Sequence, residues 1–184
     1  MELQPPKLPE LYPEQFEALY DPRRWVVIEA STKAGKTIGC AVWLINQGWN
    51  GQSGASYAWM SYTIERCLDP GLKSVKSLLE SWDPDRRHWT HHIAKRELEL
   101  HPGGRPHCVF HFFGAEEPDS IYGPEYAAAV VDEASRCKEE SWHALRSTLT
   151  TYGGPARFIG NVKGRNNWMY KMGVRGRSCD PADS

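Results

Sequence analysis

Short apolar runs bounded by charged or turn-forming residues recur along the chain, and between them the apolar spacing changes to that of helices. WVVIEA from Trp25, ASYAWMSY from Ala55, YAAAVV from Tyr126 and ARFIGN from Ala156 are too short for helices, which predicts buried strands. RELELH and HCVFHFFG alternate in strand fashion and are joined by the turn-rich PGGRP, which predicts a hairpin. PEQFEALYD predicts a short helix with Pro13 at its first position, where the missing N–H costs nothing. KTIGCAVWLINQGW predicts a helix ending near Gly48. A further helix starts at about Thr63, breaks at DPG and resumes through LKSVKSLLESW. KEESWHALRSTLTTY predicts another, with acids in the first turn where the helix dipole favours them. NNWMYKM predicts a helical turn or two, and the proline-rich first 13 residues predict a segment wrapping the surface. Strands alternating with helices predict an α/β fold: one mostly parallel sheet, helices on both faces, and an inserted β-hairpin.

Composition narrows the class. A chain of 184 residues with 40% hydrophobic and 24% charged residues is globular and has room for one domain with a real core. No run approaches the ~18 apolar residues of a membrane span, and the charged start does not resemble a signal peptide. The five cysteines are odd in number, widely spread and without a CxxC, which predicts reduced thiols in a cytosolic protein.

Net charge is −1, which by itself argues against a nucleic-acid partner. The distribution argues the other way. Between Ser141 and Cys179 there is no acid and there are seven Lys or Arg, which leaves an acidic body and a basic end. Lys163, Arg165, Lys171, Arg175 and Arg177 are therefore candidate DNA contacts, against the plainer reading of a solvated surface and tail.

Two motifs carry chemistry. ASTKAGKT has the spacing of GxxxxGK[ST], with Ala30 in place of the opening glycine. A strand precedes it and a helix follows, the context in which consecutive backbone N–H groups and a helix N-terminus cradle phosphate. Ser31, Thr32, Lys33, Ala34 and Gly35 form the candidate loop. Lys36 is placed to reach the β and γ phosphates, and Thr37 to offer its hydroxyl to Mg²⁺. Ala30 is acceptable if its φ is negative.

The second motif is AAAVVDEA, whose Asp132 lies 96 residues downstream of Lys36. It places Asp132 and Glu133 at the carboxyl edge of the sheet, where open α/β sheets bind ligands. Adjacent carboxylates resist desolvation unless a metal offsets their charge. Asp132 is the candidate metal ligand, and Glu133 the group that orients and deprotonates an attacking water. An acid following the metal-binding Asp points to hydrolysis. Asn161, at the end of the next strand, is a candidate γ-phosphate sensor. Gln15, upstream, is a candidate adenine contact through its amide. The histidines of HWTHH lack a partner at metal spacing.

The order of these parts is recognisable. Gln15, STKAGKT, a hairpin, YGPEYAAAVVDEAS, WHALRSTLT and FIGNVKGRNNW together resemble the ATPase domain of viral large terminase subunits, over about Leu11 to Lys171. The resemblance implies a P-loop ATPase using ATP and Mg²⁺. Its task would be to drive double-stranded DNA into a procapsid, as a homo-oligomeric ring on a portal with a small terminase subunit, in the cytoplasm of an infected host cell and without a membrane partner. By the same resemblance Gln15 matches the adenine-contacting glutamine, Lys36 and Thr37 the phosphate and Mg²⁺ ligands, Asp132 and Glu133 the metal-linked and catalytic acids, and Asn161 the coupling motif.

The sequence departs from the family at Ala30, at Thr32 (an arginine in many members, with Lys33 beside it) and at Tyr122 before Gly123 (again an arginine in many members). Either the implied trans arginine falls to Arg146 or Arg157, or Lys33 serves in cis. Family members usually continue into a lid and a nuclease; residues from about 162 to 184 suit the start of a lid or linker. No acidic nuclease cluster follows Asn161, so nuclease activity is not expected of this chain. Two other functions fit the same motifs: a helicase or DNA-remodelling P-loop ATPase, and a non-catalytic nucleotide-binding assembly module.

Overall fold

The computed structural model describes residues 4–31, 33–102, 107–161, 164 and 166–178. A seven-stranded sheet runs through them in the order β1-β7-β6-β2-β5-β4-β3. The strands are β1 (Trp25–Glu29), β2 (Ala55–Ser61), β3 (Trp89–His92), β4 (Glu97–Leu100), β5 (Cys108–Gly114), β6 (Tyr126–Asp132) and β7 (Ala156–Gly160). The five strands from β1 across to β5 are parallel, and β4 and β3 extend that side antiparallel. The predicted hairpin is present as β4–β5, but it is part of a three-stranded meander, because Trp89–His92 adds a strand that the periodicity does not predict. Only Trp89 is fully buried in that segment, so no alternation announces it.

The helices are α1 (Pro13–Leu19), α2 (Lys36–Asn50), α3 (Ile64–Arg66), α4 (Lys73–Trp82), α5 (Glu139–Thr148) and α6 (Trp168–Ser178), with a kinked turn at Cys67–Leu72 whose Asp69 is non-helical. The predicted break at DPG falls within that turn. The last helix is longer than predicted; it packs on β1, where Gly173 lies against Val27.

Alternation along the parallel strands sorts their side chains onto two faces. Tyr57, Trp59, Phe110, Ala128, Val130 and Ile159 join α2 and α4 in one core, together with Trp43, Leu44 and Leu79. Ala58, Met60, Ala129, Val131 and Phe158 join Trp142 and Leu145 of α5 and Met169 of α6 in the other. Both faces are therefore covered, as a parallel sheet requires.

The register aligns the carboxyl ends. Glu29 pairs with Gly160, Ile159 with Asp132, and Asp132 with Ser61. With strand interiors sealed on both faces, the polar groups left for chemistry gather at this edge.

Helix α2 does not stop at Gly48 but continues to Asn50. Gly48 is a contact point: a Cβ there would lie 2.6 Å from Cζ of Phe110 and 2.9 Å from Sγ of Cys108. Alanine improves helix propensity by about 1 kcal/mol, but overpacking a rigid core costs about 1–3 kcal/mol. Gly48→Ala is expected to be net destabilising, by about 1–2 kcal/mol, and urea unfolding of the two proteins checks the sign.

Candidate active site

At the carboxyl edge a cleft of about 310 Å³ is lined by Lys33, Ala34, Gly35, Lys36, Thr37, Ile38, Ser61, Arg66, Pro70, Asp132, Glu133, Gly160 and Asn161. The loop after β1, the ends of β2, β6 and β7, and the turn after β2 thus converge on one space. Gly35 takes φ +73, a left-handed conformation in which a side chain is strained, and a Cβ there would lie 2.5 Å from Gln15 Nε2. Lys33 is also left-handed at φ 68. Ala30 does not have positive φ, so the missing glycine costs nothing at that position. Thr32 lies outside the described residues.

Lys36 opens α2, and its ammonium turns back onto the loop. It donates to the carbonyls of Ala30 (2.6 Å) and Ser31 (2.7 Å) and to Oδ1 of Asn161 (3.2 Å). One cation therefore ties the end of β1 to the end of β7. Burial lowers its pKa, against the pull of Asp132.

Gln15 is bound at both ends of its amide. It accepts from Tyr12 N (3.1 Å) and donates to Ala34 O (3.0 Å). In this state it fastens α1 to the phosphate loop, and its amide must exchange those partners before it can face a base.

Asp132 ends the central strand β6 and is 6% exposed. Burial pushes its carboxyl up to about 6; a hydrogen bond from Glu133 N (2.9 Å) and the charge of Lys36 act the other way. Glu133 sits in left-handed backbone, φ 48 and ψ 42. A glutamate held there is strained, a feature found at functional sites. Its carboxylate pairs with Arg136 at 3.2 Å, and the Arg136 guanidinium also stacks 3.8 Å from the ring centre of Tyr62.

The structure brings Lys33, Ala34, Gly35, Lys36, Thr37, Asp132, Glu133 and Asn161 together at one cleft, although they come from three separate stretches of sequence. Ser61, Arg66 and Pro70 join them without a motif to announce them; strand-end position is the one available signal for Ser61, and Arg66 follows no local pattern. The two candidate trans arginines separate. Arg146 is exposed on α5 and stacks 4.8 Å from the ring centre of Trp25, outside the cleft lining. Arg157 is 3% exposed. Its guanidinium donates to the carbonyls of Leu19, Asp21, Arg23, Arg24 and Ala156, so it is a structural tie and does not present itself to a neighbour. Tyr122 is 60% exposed and does not line the cleft. Of the candidate DNA contacts, Lys171 and Arg175 are exposed on α6. Lys163 and Arg165 lie outside the described residues, as does the side chain of Arg177. Cys40, Cys67, Cys108 and Cys137 are free and buried.

This fold, with a phosphate loop after one parallel strand and an acidic pair after another, is a P-loop-type α/β domain. The solved structures it matches include large terminases of phages. One is a large terminase from a thermophilic bacteriophage in complex with ADP (TM-score 0.75, 18% identity, 89% of this chain and 42% of that one). Another is the ATPase domain of the Thermus phage P74-26 large terminase (0.74, 17%, 89% and 69%), and a third the HK97 bacteriophage large terminase (0.76, 14%, 92% and 38%). The UvsW helicase of bacteriophage T4 matches at TM-score 0.55 with 12% identity. The chain spans about half or less of the thermophilic-phage and HK97 terminases. No family model and no curated protein matches the sequence.

The raised pKa of Asp132 fixes the sign of a pH effect. A carboxyl whose folded pKa exceeds its unfolded value contributes stability below pH ~4 that is lost as pH rises through about 6. Above pH ~7 its ionisation costs the metal-free fold on the order of 3 kcal/mol. Asp132→Asn keeps the acceptor for Glu133 N and removes the charge. It is expected to raise the unfolding free energy of the metal-free protein at pH ~7.5, with the gain shrinking towards pH ~4; denaturant titrations of both proteins at the two pH values test this.

Proposed function

We propose that this chain is an ATP-hydrolysing motor domain that moves double-stranded DNA, as in viral genome packaging. The observation that carries the reading is the convergence of Lys36, Thr37, Asp132, Glu133 and Asn161 on one cleft at the carboxyl edge of a parallel sheet. The fold match supports it: large terminase from a thermophilic bacteriophage has been crystallised with ADP and with ATP-gamma-S.

The donor set suits a magnesium ion. Thr37 offers a hydroxyl, and Asp132 offers a buried carboxylate whose ionisation lacks a full counter-charge. When bound, the ion supplies positive charge to the phosphate oxygens. The remaining work belongs to the chain. The loop from Ser31 to Gly35 presents its backbone N–H groups to phosphate. Lys36 releases the carbonyls of Ala30 and Ser31 and turns to the β and γ phosphates. Glu133 takes a proton from the attacking water. Asn161, left by Lys36, senses the terminal phosphate and passes its presence to β7. Gln15 meets the adenine edge when its amide leaves Ala34.

Exposed Lys171 and Arg175 suit contact with DNA phosphates, and an acidic body beneath a basic end orients the duplex. Assembly as a ring on a portal, together with a small terminase subunit in the cytoplasm of an infected cell, completes the reading. Arg146 is the arginine on hand for a neighbouring subunit.

Turnover of ATP by the purified chain, with and without duplex DNA, is the test. Lys36→Ala is expected to lose nucleotide binding or turnover. Glu133→Gln is expected to keep nucleotide bound while turnover falls by at least ~10². Undiminished hydrolysis by both would remove the assignment. Duplex DNA should stimulate without strand separation; unwinding would indicate a helicase, and absence of turnover an assembly module.

DNA affinity should fall steeply with salt and hardly depend on sequence, because phosphate contacts release counterions. Lys171→Ala together with Arg175→Ala is expected to flatten the salt slope by about 1–2. An unchanged slope in a filter-binding titration would leave the basic end as a solvated surface.

A further inference from the structure

The cations at the cleft differ in what they are free to do. Lys36 is held by two carbonyls and Asn161. Arg136, beside the cleft, is engaged by Glu133 and stacked on Tyr62. Two lining cations, exposed Lys33 on the loop and exposed Arg66 after β2, have side chains without a hydrogen bond or ion pair to any described residue, and Arg66 is the one guanidinium among the described lining residues. It lines the same cleft as two carboxylates, Asp132 and Glu133, and pairs with neither.

Its backbone, in contrast, is fixed. Strand β2 delivers the chain to the cleft rim at Ser61, which is fully buried. Thr63 caps the following turn, accepting from Arg66 N at 3.4 Å. Ile64 N, at the start of that turn, donates to Glu116 Oε1 at 2.6 Å. Cys67, immediately after Arg66, is fully buried and its thiol donates to Trp59 O at 3.1 Å. A fixed base therefore carries a long, exposed side chain that no described residue holds.

We propose that Arg66 supplies, from within the same chain, the guanidinium that contacts the terminal phosphoryl group during hydrolysis. This rests on the ATPase reading of the cleft and adds a catalytic residue to it. In the step itself, water oxygen bonds to the γ-phosphorus, the bond from that phosphorus to the β–γ bridging oxygen breaks, and Glu133 receives the water proton. The products are ADP and inorganic phosphate. Arg66 keeps its protons throughout. Its planar fork pairs with phosphate oxygens more directionally than an ammonium does, and such a guanidinium matters most where charge gathers on the transferred group.

The test compares wild type, Arg66→Ala, Arg66→Gln and Arg66→Lys for ATP turnover and for affinity towards a fluorescent ADP analogue, with Lys36→Ala as reference. The proposal expects both neutral variants to lower kcat by about 10²–10³ while ADP-analogue affinity stays within about threefold. Lysine should recover part of kcat. Because the residue acts in cis, mixing Arg66→Ala subunits with Glu133→Gln subunits should restore nothing at any protein concentration.

A kcat within about threefold of wild type for both neutral variants overturns the proposal. So does recovery of activity on mixing, which would make Arg66 a donor to the neighbour. A loss confined to KM would reduce it to a binding contact and also overturns it. Failure of the underlying reading looks different: wild type would itself show no turnover, and Lys36→Ala would bind the ADP analogue as wild type does.

Discussion

A guanidinium buried in the interior must find acceptors for its donors, and Arg157 finds them in backbone carbonyls. Four of the five belong to the segment from Leu19, the last residue of α1, to Arg24, just before β1. That demand sets the path of the segment, and with it the position of α1 over the sheet. From α1, Gln15 reaches the carbonyl of Ala34 and holds the phosphate loop. The charge is not matched by a hydrogen-bonded carboxylate; Asp21 lies near enough to favour it but is itself paired with Arg23, and burial lowers the Arg157 pKa. The ring of Trp43, whose centre lies 4.8 Å from the guanidinium, adds a further contact. A side chain near the start of β7 is thus the remote support of a loop at the end of β1.

A second tie closes the circuit. Lys36 binds the ends of β1 and β7 at the cleft, through Ala30, Ser31 and Asn161, while Arg157 binds the same two strands from within, through the segment leading into β1. The two ties are independent, so loss of the first would leave the second in place.

The parallel strands are legible in the sequence because burial on both faces makes them short, apolar and bounded by polar residues. The acidic pair is legible because β6 ends on it, and the loop because its spacing is a consequence of phosphate geometry. What escapes has tertiary causes. Trp89–His92 becomes a strand because Glu97–Leu100 lies beside it, and its own residues read as a histidine cluster. Gly48 has the look of a helix stop and is instead where α2 touches Phe110. Arg157 has the look of a surface cation, since nothing local says that five carbonyls surround it. Arg66 has no motif, because its place at the cleft comes from the turn after β2 and not from any spacing along the chain.

Strand β1 has a ladder partner on one side only among the described residues, and that partner is β7. The phosphate loop is therefore mounted like a cantilever, clamped along a single edge. At its far end β1 is joined to the end of β7 again, through Lys36 and Asn161. The opposite edge of β1, with α6 lying against the strand, offers no second clamp among the described residues. Within the sheet, a displacement of β1 therefore reaches β7 before any other strand.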